Sequence, residues 1–290
     1  DKAEDLGMVC GIVRKAKATV RELERARFEE AADDDFEPDD DGVDAEELQK
    51  QREELFAKAS HPKFEWTKYN RIRTPDSFAS GVYFGKKKIK ANQLVWQANV
   101  LHKSMTDLPR GLSHVAKNIH KSILGYCGDK TMSFPPMLAA NILEKGIEEP
   151  AVVDEIYVQV LKHLRDNPNQ ESEYSAWQLM CMCVGTFPPS RDFESYLLNF
   201  LLASRSKSGQ PGNYARYALR RLEGTLQSGP SAYIPAPEDI RAYKDRPPIL
   251  ATIELVDGSI VTDELPITPD INVGKVVEIC STFLDITDPR

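Results

Sequence analysis

The stretch SEYSAWQLMCMCVG, residues 172–185, is apolar around most of the circumference that a helix would give it. A helix without a polar face has to be covered on every side, so this segment requires a shell of other elements around it. The flanking sequence offers that shell in helical form. LSHVAKNIHKSILGY (112–126) sets Leu112, Val115, Ala116, Ile119, Ile123 and Leu124 on one face, with Lys117 and Lys121 off the stripe, and Gly128 follows as a stop. PPMLAANILEKG (135–146) begins with prolines and ends in Lys-Gly, the normal helix polarity. In DEIYVQVLKHLRDNP and the residue before it, Val153, Ile156, Tyr157, Val160, Leu161 and Leu164 recur at helical spacing.

After FPPS breaks the chain, Ser190 is placed to cap RDFESYLLNFLLAS. YARYALRRLEGTL (214–226) then opposes an apolar side of Tyr214, Tyr217, Ala218 and Leu222 to a basic side with Arg216, Arg220 and Arg221. Six or more helices with no strand pattern between 105 and 230 predict a mainly α helical bundle. At Arg246-Pro247-Pro248 the period changes. ILATIELVDGSIVTDELPI alternates in the β manner about Asp257-Gly258, a hairpin signal, and INVGKVVEICSTFL reads as a helix with Val273, Val276, Val277 and Cys280 inward. Strand, turn, strand and helix open a β-grasp (ubiquitin-like) fold.

Charge divides the chain in three. Residues 1–62 hold 10 basic and 19 acidic side chains, a net of −9, and 63–246 hold 25 and 18, a net of +7. Residues 247–290 hold 2 and 8, a net of −6. Within the first part, 8–30 reads as a charged helix and 44–59 as another. Between them DDDFEPDDD (33–41) is too acidic and too poor in apolar surface to order itself, and it is read as a linker. The domain expectation is therefore a charged, partly disordered segment at 1–60, a helical domain at 61–246 and a truncated β-grasp start at 247–290. An acidic segment beside a basic body also predicts fold-back, with deletion of 1–60 raising affinity for an acidic partner.

Few features point to catalysis. Gly-rich phosphate cradles, nucleophile elbows and zinc-protease motifs are absent from the sequence. His114 and His120 stand six apart, which on a helix does not present both to one metal, and the histidines are read as surface or partly buried. The five cysteines have no framework spacing, which suits a reducing cytosolic compartment, and Cys181 and Cys183 fall inside the apolar run as core residues. Asp154 and Glu155 are the best acid/base candidates. Adjacent helical positions diverge by about 100°, so they do not converge on a substrate, and their place in the first turn suits the helix dipole, with Lys162 and Arg165 suiting the other end. No enzyme, cofactor, metal or small-molecule substrate is expected. No apolar run approaches the roughly 18–20 residues of a membrane span, the N-terminus is no signal peptide, and the chain reads as a piece of something longer.

The order GYCGD, GIEEPAVVDEIYVQVLKHLRDNP, SAWQLMCMCVGTFPPSRDFESYLLNFL and IPAPEDIRAY resembles a MyTH4 domain, the helical module of unconventional myosin tails, calmodulin-binding kinesin tails and a few adaptor and RhoGAP proteins. The family's motif residues match Asp154, Glu155, Ile156, Tyr157, Gln159, Asn167, Pro168, Trp177, Leu179, Pro188, Pro189 and Ser190, which the resemblance implies are structural. Val153 departs from the usual Arg, His163 from Gln and Ala176 from Gly. The β-grasp start resembles the first lobe of a FERM domain, and the tandem is closest in architecture to class seven or fifteen myosin tails.

The resemblance implies a non-catalytic tail module of a cytoskeletal motor, cytoplasmic and cytoskeleton-associated. Its expected partners are microtubules or tubulin and cargo or adaptor proteins; the alternative is a motorless adaptor or RhoGAP-type signalling protein. The basic body agrees with acidic tubulin tails through long-range attraction. Candidate patches are Lys86, Lys87, Lys88 and Lys90, and Arg205, Lys207, Arg216, Arg220 and Arg221. Base-stacking aromatics are not interleaved with these cations, so no nucleic-acid partner is expected.

Overall fold

The computed structural model describes residues 45–254, 258, 260–268 and 271–283. The helix read at 8–30, the acidic stretch 33–41 with its fold-back, and Asp257 of the hairpin turn lie outside the described residues. Lys50–Asp270 form one compact unit, and Ile271 onward falls in a second.

The order is α1 (Ala45–Ala59), two 3₁₀ turns (Pro62–Phe64 and Trp66–Lys68), α2 (Pro75–Phe78), α3 (Lys86–Ala91), α4 (Ser113–Tyr126) and α5 (Pro135–Glu148). A third 3₁₀ turn (Pro150–Val152) leads to α6 (Val153–Leu164), α7 (Gln170–Thr186), α8 (Arg191–Ser204), α9 (Gln210–Ser228) and α10 (Pro237–Asp245). β1 (Ile249–Glu254), β2 (Ile260–Ile267) and α11 (Val273–Phe283) follow. The fold is a helical bundle with a small C-terminal sheet, as the patterns predict.

Local chemistry sets the helix ends. The Asn169 side chain accepts from Glu171 N and Ser172 N to start α7, and Ser190 Oγ accepts from Phe193 N to start α8. Gly128 takes a φ of +84° just past α4, where a Cβ would be strained.

α7 is the axis of the bundle. Every residue from Ala176 to Val184 is buried, and α5, α6, α9 and α10 all pack against it. α6 is buried more completely than its pattern predicts. All twelve residues from Val153 to Leu164 are buried, including Asp154, Glu155, Gln159, Lys162 and His163. Its polar side chains are covered by the irregular segment before α4, which bonds to Asp154, Glu155 and Lys162.

β1 and β2 pair antiparallel, Ile249 opposite Ile267 and Ala251 opposite Leu265, with irregularities on either side of Ile253. Both strands pack on α9, and Asn213 Nδ2 donates to Pro248 O at 2.7 Å at the junction. In α11 the expectation of an inward Val273 and Val277 is corrected. Val273 is 79% exposed and Val277 44%, since helical period marks an apolar face without supplying what covers it.

The bundle is close-packed where α5 meets the end of α7. A Cβ on Gly146 would lie 2.1 Å from Cε1 of Phe187, itself 2% exposed. Gly146→Ala therefore forces the ring aside and is expected to cost roughly 1–3 kcal/mol, read as a lower midpoint in denaturant unfolding.

Candidate interaction surface

The acid pair does not face solvent. Asp154 accepts from Ser190 N at 2.9 Å, from Ser190 Oγ at 2.7 Å and from Tyr69 OH at 2.8 Å, with Arg71 Nη1 3.6 Å away. Burial, and then the bond to Asp154, push the Tyr69 hydroxyl up to about 12. Glu155 turns the other way, as helical neighbours must. It accepts from Met105 N at 2.7 Å, Thr106 N at 2.6 Å, Thr106 Oγ1 at 2.5 Å and Gln159 Nε2 at 2.7 Å. Burial raises the pKa of its carboxyl against the pull of those donors.

Gln159 Nε2 also donates to Ala116 O at 2.9 Å, tying α6 to α4. Tyr157 is fully buried and donates to Phe187 O at 2.6 Å. Trp177 is 1% exposed and stacks on Phe200 at 5.5 Å. Pro189 is buried, while Pro188 and Ser190 are half-buried at the turn into α8.

One expectation is corrected on α6 and α4, and one side chain is more deeply placed than its pattern tells. Lys162 stands in the last turn of α6, as its sequence position implies, but inside the protein. Its Nζ is buried and donates to Asn92 O at 2.8 Å and to Val95 O, clamping the segment after α3. His120 and His163 are each only 1% exposed rather than surface or partly buried. Burial depresses His120 to about 3, so it stays neutral, and His163 Nε2 lies 3.0 Å from both Ser172 Oγ and Asp129 Oδ2. Both rings are enclosed by elements that only the folded chain brings to them.

The two basic groups fare differently. Lys86, Lys87 and Lys88 are exposed on α3, and Lys90 pairs with Asp76. In the second group the structure brings four guanidinium groups together. Arg205 and Arg52 both lie over the Phe56 ring, 6.0 and 5.3 Å from its centroid. Arg216 Nη1 donates to Arg205 O at 3.0 Å, and Glu223 is shared between Arg52 at 2.7 Å and Arg220 at 3.1 Å. Arg205 and Arg216 are exposed and Arg220 is half-buried.

Arg221 stands apart from them: it is half-buried against Gly185, where a Cβ would come within 2.9 Å of its Nη2. Lys207 is exposed and lines a groove of about 300 Å³ with Trp66, Arg165 and Trp177. A Cβ on Gly212 would lie 1.9 Å from Lys207 O, so the glycine lets the loop carrying Arg205 and Lys207 close on α9. Arg52, 171 residues from Glu223, escapes the sequence reading. The one local signal is its four-residue spacing from Phe56.

Two outcomes follow for α6. Glu155→Gln turns an amide NH₂ toward a backbone N–H in either orientation and should cost about 2–4 kcal/mol, measured by denaturant unfolding. Burial holds Lys162 at about 7 against 10.5 when free, so above pH 7 the unfolded state binds more protons and stability rises with pH. The rise should run from pH 7 to about 9, where the buried thiols of Cys127, Cys181 and Cys183, pushed up by burial, begin to oppose it. Lys162→Met should flatten that rise.

Comparison with known proteins agrees with this architecture. The model for the MyTH4 domain matches residues 139–242. The chain is 32% identical over 150 residues to the high molecular weight form of myosin-1 of Acanthamoeba castellanii, covering 52% of this chain and 10% of that protein. It is 36% identical over 121 residues to Myosin-VIIa of Drosophila melanogaster, covering 42% and 5%. The kinesin-like protein KIN-14E of Arabidopsis thaliana is 25% identical over 182 residues, covering 56% and 14%. The chain thus spans only a small part of these relatives' length.

Among solved structures, the Dictyostelium discoideum Myosin VII MyTH4-FERM MF1 domain shares the fold, with a TM-score of 0.56 at 20% identity over 79% of this chain and 45% of that one. The human Myosin 7b C-terminal MyTH4-FERM domain, solved with the harmonin-a PDZ3 domain, has a TM-score of 0.50 at 23% identity over 76% and 43%. Residues 139–242 match the MyTH4 domain, and the chain is homologous to unconventional myosins and kinesin-like proteins and shares the fold of MyTH4-FERM domains.

Proposed function

We propose that this chain is a non-catalytic, cytoskeleton-associated tail module of a motor protein, cytoplasmic in location, that binds microtubules and cargo or adaptor proteins. The helical body at 61–246 is the MyTH4-like domain in this reading, and the sheet from 247 begins a FERM first lobe. The observation that carries the microtubule part is the grouping of Arg52, Arg205, Arg216 and Arg220 from three separate elements around one ring and one carboxylate. Arg205 and Arg216 present exposed guanidinium groups on this surface, and tubulin's exposed tails are acidic. Motor relatives of both filament classes, and a neighbour held by a PDZ domain, support a tether with a protein cargo.

Within this surface the exposed pair Arg205 and Arg216 is the part an acidic partner reaches first. Arg221, packed against Gly185, contributes to the fold. Co-sedimentation with microtubules is expected to weaken with salt, to weaken on removal of the acidic tubulin tails, and to fall roughly tenfold at low salt in Arg205→Ala/Arg216→Ala. That double variant should keep the wild-type unfolding midpoint. Retained binding in it, or no binding at low salt, would leave this surface as ordinary solvated protein.

A further inference from the structure

The lysine group on α3 has a neighbour that the tubulin reading does not use. Tyr83 and Phe84 are each 91% exposed, the most exposed large apolar side chains among the described residues, and they immediately precede Gly85 and the lysines of α3. Gly81 and Gly85 take φ of +79° and +73°, so the chain turns sharply on both sides of Val82-Tyr83-Phe84 and holds the two rings out at a tip.

The base of that tip is anchored. Phe78 and Ala79 are each 1% exposed, Lys103 Nζ donates to Ser77 O at 3.0 Å and to Ser80 Oγ at 2.6 Å, and Ile89 packs against the core. The rings therefore project from a braced site.

The charges on α3 run against local preference. Lys86 and Lys87 open a six-residue helix whose N-terminal end favours anions, no acidic side chain shares that first turn, and Lys88 falls in the last turn with Lys90. Asp76 pairs with Lys90 at the other end of α3, and the three lysines stay exposed. Two bare rings and three exposed lysines thus stand together at one tip, with Lys86 and Lys87 at a helix end that favours anions.

We propose that the Gly81–Lys88 tip docks on an anionic lipid surface, with Tyr83 and Phe84 seated at headgroup depth and Lys86, Lys87 and Lys88 on the headgroup anions. Aromatic rings prefer that depth because it offers apolar and wet surroundings together, and a Tyr can keep its hydroxyl in water there. Each lysine near an anionic leaflet strengthens binding by about fivefold at moderate salt. An acidic polypeptide would satisfy the lysines and leave both rings bare. A nucleic acid would want stacking rings spaced along a basic groove, whereas these two sit side by side on a protrusion.

The test is flotation of the whole 290-residue chain with vesicles of phosphatidylcholine alone and of phosphatidylcholine with about a third phosphatidylserine. Binding is expected only to the anionic vesicles. Tyr83→Ser/Phe84→Ser should weaken it by roughly tenfold, and Lys86→Ser/Lys87→Ser/Lys88→Ser by roughly a hundredfold. Both variants should keep the wild-type thermal midpoint and bind microtubules as Arg205 and Arg216 dictate, which separates this site from the arginine cluster. Absence of binding to anionic vesicles overturns the proposal. So does vesicle binding indifferent to Tyr83 and Phe84, as does lysine-dependent capture by poly-glutamate or single-stranded RNA without vesicle binding.

Discussion

The fully buried carboxylate of Glu155, with four donors converging on it, is the contact on which the rest of the structure depends. Two of those donors are backbone N–H groups of Met105 and Thr106, about fifty residues upstream in a segment with almost no regular structure. Such a segment has few ladder bonds of its own, so its backbone groups need side-chain partners when it is covered. Glu155 accepts at its far end, Asp154 takes Tyr69 at its near end, and Lys162 caps the carbonyls of Asn92 and Val95 between them. One helix thereby organises the described segment from Tyr69 to Thr106.

That arrangement explains how a basic surface is built on a bundle. α6 commits both faces to the interior, so the polar contacts outward are made by α3, α8 and α9 and by the loops between them. The arginine cluster sits where Arg52 of α1 meets Glu223 of α9, and the lysine tip sits on the irregular segment that Lys162 and Glu155 hold in place. Loss of the buried acid would disturb the lysine tip through its anchorage without touching a cation. Buried charge of this kind is weak evidence for stability, since desolvation opposes the attraction, but removing one partner leaves the other stranded.

Much of the fold was legible because helices are local. The segments read at 112–126, 135–146 and 172–185 appear as Ser113–Tyr126, Pro135–Glu148 and Gln170–Thr186, and Ser190 caps α8 from its own next turn. The family motif was legible for the same reason, since its residues lie within one run of chain. The candidate site was legible only in part. Helical spacing groups Arg216 with Arg220, yet Arg52 joins them through Glu223, and Arg221 turns into the packing against Gly185. Val273 and Val277 read as inward from period alone, and period does not say whether anything covers the face it defines.

By itself, the sequence determined the helices between 112 and 226, the Ser190 cap, the all-round burial of α7 and the division of charge along the chain. Each of these follows from the chemistry of residues within a turn or two of one another. The tertiary structure decided the rest: that the polar side of α6 is interior, that Lys162 and His120 are buried, and which cations stay in solvent. An amphipathic pattern marks one face as apolar, but the fate of the other depends on whether distant backbone groups arrive to be satisfied by it. Here the segment at 69–106 does arrive, and it turns a would-be solvent face into a second interface.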